Sequence, residues 1–389
     1  MMNKIYLDHA ATTPIIPEVL AAMEPYLKDY YGNPSSVYSL GQRAAHAVNE
    51  AREKVARAIG AKEEEIIFTS GGSEADNTAI KGVVFALQNK GKHIVTSKIE
   101  HPAILSTCEQ LEKHFGFEVT YLDVDKEGFV DPEDVRKALR QDTILVSIML
   151  ANNEIGTIEP IKEISRIVKE RDIYFHTDAV QAMGQIPIDV NELGIDLLSL
   201  SSHKINGPKG MGALYVKRGV KLLPLIAGGA QERNRRAGTE NVAGIVGFAK
   251  AMELASEKLE ENVAFLRKLR NKLINGIEKN IDHVILNGPR DEHRLPNNVN
   301  FSFRYIEGES ILLNLDMLGI AASSGSACSS GSLDPSHVLL AIGHSHETAH
   351  GSLRLSLGKG NTEEEIDYVI DILPGIINKI REMSPLYEG

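Results

Sequence analysis

An α/β fold, with a mostly parallel large-domain sheet and a smaller α+β C-terminal domain, is predicted by three features of this sequence. Strand and helix patterns alternate through its middle, several strand-like runs end in polar clusters, and a long helical region then gives way to a lone period-two strand flanked by helices. At 389 residues the chain is too long for one ordinary core. Two domains are therefore expected: a large one over 15–255 and a small one over 256–389, with the N-terminal segment 1–14 packing nearby.

The alternation begins with Glu65-Ile66-Ile67-Phe68-Thr69, a short strand followed by the turn Ser70-Gly71-Gly72-Ser73-Glu74 and a helical stretch from Ala75 toward Leu87. His93 to Thr96 reads as a strand, Ala103 to His114 as a helix, and Phe117 to Leu122 as a strand again. Thr143 to Met149 then precedes a helix from about Ile161 to Arg171 and the strand that ends at Asp178. A further apolar run, Asp196-Leu197-Leu198-Ser199-Leu200-Ser201, leads to Ser202-His203-Lys204. Beyond it, a long helical region from about Glu240 to Asn280 carries the chain into the second unit. There Asn298 to Phe303 alternates as a strand, and helices follow near Glu309 to Leu318 and Glu363 to Ile380. Ligands of parallel sheets sit beyond the carboxyl ends of the strands, where Ser73, Asn153, Asp178 and Lys204 all fall.

Composition excludes some function classes. A formal net charge of −11 leaves no basic footprint, so no nucleic acid is expected as a partner. No apolar run is long enough to span a bilayer, and Met1-Met2-Asn3-Lys4 leads into a strand-like segment rather than a signal sequence. No membrane association and a cytoplasmic location are expected. The two cysteines, Cys108 and Cys328, are too few for a disulfide scaffold and lack any Cys-x-x-Cys spacing, so no metal is expected. Cys108 shares helical spacing with Ile104, Leu105 and Leu111 and reads as core, whereas Cys328 stands in a Gly/Ser run without apolar periodicity, which reads as a mobile loop.

An amine and a carboxylate at the ends of two buried strands are costly unless something binds both. Pyridoxal 5'-phosphate does so: its aldehyde takes a lysine, its ring nitrogen wants a carboxylate, and its phosphate wants hydroxyls and backbone amides. Lys204 and Asp178 are the candidates for the first two. Gly72 and Ser73 stand where a helix N-terminus offers amides to an anion, and Ser201 and His203 add donors beside Lys204. Gln181 is placed to reach the ring's phenolic oxygen, and His101 to stack on the ring and carry protons. Each of these has a plainer reading, such as a helix cap or a turn residue. The combination favours the cofactor.

Taken in order, Tyr6-Leu7-Asp8-His9-Ala10-Ala11-Thr12-Thr13, Gly32-Asn33-Pro34-Ser35-Ser36, Glu100-His101, Asn152-Asn153-Glu154-Ile155-Gly156, His176-Thr177-Asp178-Ala179-Val180-Gln181 and Ser201-Ser202-His203-Lys204 form one pattern. It resembles the class V pyridoxal-phosphate enzymes, specifically the cysteine desulfurases. Gln231 to Asn241 and Ser323-Ser324-Gly325-Ser326-Ala327-Cys328 resemble the NifS/IscS group, so the likeness spans essentially the whole chain.

The resemblance implies the fold-type I transferase architecture and a homodimer with sites at the subunit interface. It implies that Thr239 reaches the phosphate of the partner subunit's cofactor, and that L-cysteine is converted to L-alanine. Lys204 would remove the α-proton and His101 would carry the thiol proton. Cys328 would take the sulfur as a persulfide and pass it to an iron–sulfur scaffold protein. Arg354, in an apolar strand-like segment, would hold the substrate α-carboxylate with its planar fork, assisted by Asn33 and Asn153. Three alternatives stay open. A class V aminotransferase would not need Cys328, and a selenocysteine lyase would use the same pocket. A non-catalytic sulfur-carrier scaffold subunit would lack Lys204, Asp178 or Cys328, all of which are present.

Overall fold

A computed structural model describes residues 4–324, 334–385 and 387. Its centre is a seven-stranded sheet in the order Ile66–Thr69, Gly212–Val216, Leu197–Ser201, Tyr174–Asp178, Thr143–Ser147, His93–Ser97 and Glu118–Leu122. Only Gly212–Val216 runs against the rest, pairing antiparallel with both its neighbours. The reason is chain length. The parallel strands are joined by helical crossovers, but the link from Ser201 to Gly212 is too short for one, so the chain must double back. Lys204 stands in that link, in a 3₁₀ turn over Ser202–Lys204.

Every residue of the strands Ile66–Thr69, Thr143–Ser147 and Leu197–Ser201 is buried, as expected of a sheet covered on both faces. Val48, Val55, Ile245, Phe248 and Met252 pack on one face, from the helices Ser39–Ala58 and Val242–Glu257. On the other lie Ile80, Val83 and Val84 of the helix Gly72–Leu87, with Cys108 and Leu111 of the helix Pro102–Phe115.

The long helical region predicted between Glu240 and Asn280 is two helices, Val242–Glu257 and Leu259–Asn280, broken at Lys258. The first buries Phe248 and Met252 against the large sheet, and the second buries Leu266, Leu269, Leu273 and Ile277 in another core. Turning from one core to the other requires the break.

This other core surrounds a three-stranded antiparallel sheet of Val284–Leu286, Asn298–Phe303 and Ser352–Ser356. Ile5 and Leu7 join it, because the strand Ile5–Tyr6 pairs in parallel with Ile320–Ala321. The terminal helix Glu363–Glu382 completes it, opened by a capping box between Thr362 and Glu365. Among the described residues, no helix is long and apolar enough to cross a membrane.

Candidate active site

The carboxyl ends of the parallel strands open into one cleft. It is lined by Gly72, Ser73, His101, Asn153, Asp178, Gln181, Ser201, His203 and Lys204, together with Asp76 and the segment Ala10-Ala11. At one end the strand Ile66–Thr69 turns through Gly71, whose φ of +155° is open to glycine but strained for other residues, into the helix Gly72–Leu87. The turn is held by Glu74, which accepts hydrogen bonds from the Ser70 amide at 2.9 Å and Arg236 Nε at 2.8 Å. Burial pushes the Glu74 carboxyl up, but these donors outweigh it and keep it below its ordinary range.

The Lys204 amine donates to the carbonyl oxygens of Ala10 and Ala11, the latter at 2.9 Å. Gln181 Nε2 donates to the same Ala10 oxygen at 2.9 Å, and His203 Nδ1 lies 3.2 Å from Thr12 Oγ1. The segment 8–13 is thus strapped across the site. His101 caps the helix Pro102–Phe115, its Nδ1 accepting from the Ala103 amide at 3.1 Å. Burial, with the Lys204 and His337 charges, lowers this imidazole to about 4, so it is neutral near pH 7. With Nδ1 accepting, the proton sits on Nε2.

Asp178 accepts from the Val180 amide at 2.8 Å. Burial pushes its carboxyl up to about 6, a rise tempered by that amide and by Lys204. Beneath it lie two groups that sequence reasoning did not single out for the site. His176 is sealed between Ser147 Oγ at 2.8 Å and Ser199 Oγ at 3.0 Å, and burial lowers it to about 3. Asp76 lies 3.7 Å from His176 Nε2 with its Oδ1 buried and without a hydrogen-bond partner among the described residues, and burial and the Asp178 charge drive its carboxyl well above the ordinary range. Two carboxyl groups in one dry floor cannot both ionise cheaply. Asp178, with an amide donor and a nearby cation, is the one that carries the charge. Asp76 was hidden in the sequence because a single carboxylate on an amphipathic helix reads as solvated.

Arg354, in the strand Ser352–Ser356, donates from NH1 to the Asn153 carbonyl at 3.1 Å and from NH2 to Asp8 Oδ1 at 3.0 Å. Two other predicted residues stand apart from the cleft of this single chain. Thr239 lines a neighbouring depression with Ser70, Gly210 and Arg236, and Asn33 is exposed, its Oδ1 accepting from the Ser35 amide at 2.9 Å. Cys328 lies outside the described residues. Cys108 is fully buried, and burial pushes its thiol up to about 12, as befits a packing residue.

The cleft's chemistry suits pyridoxal phosphate. A buried carboxyl with one amide donor accommodates a protonated ring nitrogen, and the amine of Lys204 opens on the same space. Ser73, Ser201, His203 and the start of the helix Gly72–Leu87 supply neutral donors for a dianion. Fold and site together define a fold-type I pyridoxal-phosphate-dependent enzyme.

The chain belongs to the aminotransferase class-V family, whose model matches residues 5–369. It is 61% identical over 385 residues to the cysteine desulfurase IscS of Dictyoglomus turgidum, covering 99% of this chain and 97% of that one. It is 62% identical over 389 residues to the cysteine desulfurase IscS of Clostridium botulinum, covering 100% and 98%. A solved NifS-like protein superposes with a TM-score of 0.91 at 41% identity, covering 97% of this chain and 100% of that one.

Proposed function

We infer that this chain is a pyridoxal-phosphate-dependent cysteine desulfurase, converting L-cysteine to L-alanine with transfer of sulfur to an enzyme cysteine. The observation that carries this reading is full-length identity above 60% to cysteine desulfurases, in a chain whose cleft gathers Lys204, Asp178 and His101. When bound, pyridoxal phosphate supplies an aldehyde that takes up the substrate amine and a ring that draws electrons from the substrate α-carbon.

The chain's own residues do the rest. Gly72, Ser73, Ser201 and His203 would hold the phosphate, Asp178 would keep the ring nitrogen protonated, and Gln181 would donate to the ring's phenolic oxygen. Arg354 binds the substrate α-carboxylate, with the Asn153 carbonyl fixing the guanidinium. Lys204 would anchor the cofactor, and its neutral amine, oriented by the Ala10 and Ala11 carbonyls, would take the substrate α-proton. His101, neutral with its proton on Nε2 and Nδ1 taken by the Ala103 amide, would give up the Nε2 proton and recover one from the substrate thiol. The Cys328 thiolate would attack the substrate sulfur to form a persulfide; the carbon–sulfur bond breaks with its electron pair left on carbon, which takes up a proton, and the carbon skeleton leaves as L-alanine.

In this reading residues 15–255 form the cofactor domain, while 256–389 with 1–14 carry Arg354, Cys328 and Asp8. The protein works as a cytoplasmic homodimer, with Thr239 completing the partner's site. An iron–sulfur scaffold protein accepts the persulfide sulfur. The test is to incubate purified, cofactor-loaded protein with L-cysteine and a reductant. Equimolar alanine and sulfide are expected; amino transfer to a 2-oxo acid without sulfide would instead mark an aminotransferase.

A further inference from the structure

Arg354 is held by a carboxylate of its own chain. Its side chain is 1% exposed and that of Asp8 is 19% exposed, with NH2 to Asp8 Oδ1 at 3.0 Å. NH1 is used by the Asn153 carbonyl at 3.1 Å. Nε is buried with no hydrogen-bond partner among the described residues. A planar carboxylate gripped at two points needs two adjacent N–H groups. The unused Nε provides one, and its neighbour NH2 is the nitrogen that Asp8 occupies.

Asp8 opens the strap that reaches the reactive amine. The Ala10 amide donates to Ser356 Oγ at 2.8 Å, the Ala10 carbonyl accepts from Lys204 and Gln181, and the Thr13 hydroxyl donates to the His203 carbonyl at 2.8 Å. Ser356 belongs to the same strand as Arg354. One short segment therefore bridges the two cations, Lys204 and Arg354.

We propose that Asp8 is a positioning residue that stands in for the substrate carboxylate: it holds Arg354 while no amino acid is bound and yields NH2 to the incoming α-carboxylate. The proposal rests on the reading of Arg354 as the carboxylate's partner. Its consequence is that Asp8 competes with substrate. Filling the carboxylate site also loosens the strap at its Arg354 end, next to the carbonyls that receive the Lys204 amine.

The test uses the cofactor-loaded enzyme and L-alanine, which offers the same α-carboxylate and no sulfur, with affinity read from the visible spectrum and by calorimetry. Asp8→Asn removes the competing charge while keeping the side chain's shape. L-Alanine should bind roughly tenfold tighter, the scale of one charge-assisted hydrogen bond, and the KM for L-cysteine should fall with little change in kcat. Asp8→Glu should restore the weaker affinity. In the unmodified enzyme, amide hydrogen exchange in residues 8–13 should quicken when L-alanine binds. A purely structural Asp8 would give the opposite sign, with weaker binding in Asp8→Asn, and that result, or exchange in 8–13 unchanged by L-alanine, overturns the proposal. Arg354→Lys separates the two layers. If it leaves L-alanine affinity unchanged, the Arg354 reading itself fails; if it weakens binding while Asp8→Asn does not tighten it, only the role of Asp8 falls.

Discussion

Burial and a few directed donors decide the charge state of each group in the cleft, and these states can be tested singly. Lys204→Ala should abolish the covalently held visible chromophore and alanine production while leaving the far-UV circular dichroism unchanged; turnover by that variant would refute its role. Asp178 is useful to a protonated ring only as an anion. Because burial raises it to about 6, cofactor retention should weaken as pH falls through that value, measured as cofactor released on dialysis across a pH series. Glu100 supplies a stability test. It is fully buried, its Oε2 has no partner among the described residues, and burial raises it from 4.5 to about 8. The folded protein therefore holds this proton more tightly than the unfolded chain, so the contribution is complete below pH 4.5 and lost as pH rises through about 8. Glu100→Gln should flatten that decline between pH 4.5 and about 8 in urea unfolding; an unchanged slope would mean Glu100 is ionised. Lys204 and Asp178 were legible in the sequence because polar residues capping apolar runs are conspicuous. The roles of Asp76 and Asp8 were not, since each depends on a partner distant in the chain: Asp178 for one and Arg354 for the other.

At the scale of elements, most strands and helices follow from periodicity, and the exceptions have physical causes. The break at Lys258 was invisible because the residues on both sides are good helix formers, and only the need to face two cores splits them. The antiparallel return of Gly212–Val216 follows from a short connection rather than from its composition. One segment is held against its own preference. Glu232, Arg233 and Asn234 have φ values of 46°, 56° and 63°, a left-handed run without glycine. Glu232 fixes it by a buried two-point pairing with Arg52 at 2.6 and 2.8 Å and by accepting from the Phe68 amide at 3.0 Å. The segment leads to Arg236 and Thr239, beside the Ser70 turn. Glu232→Gln should cost about 3–5 kcal/mol in urea unfolding, the penalty of leaving a buried guanidinium without its counter-charge. A loss below about 1 kcal/mol, the value of an exposed pair, would show that the loop holds itself.

At the scale of the molecule, the cleft depends on both cores, because Lys204 and Asp178 rise from the large sheet while Arg354 and the strap belong with the smaller one. The single chain leaves Leu20, Leu27, Tyr31, Val37 and Tyr38 exposed, close in sequence to Asn33. A homodimer that covers them should sediment at twice the chain's mass, whereas a monomer at micromolar concentration would remove the reason for placing Thr239 at the partner's site. The central claim is that sulfur leaves L-cysteine on Cys328. Incubating the loaded enzyme with L-cysteine, blocking thiols, digesting and weighing the peptides tests it most directly. One added sulfur on the Cys328 peptide, none on the Cys108 peptide, and no alanine from Cys328→Ala are expected; added sulfur confined to Cys108, or full alanine production by Cys328→Ala, would contradict the account.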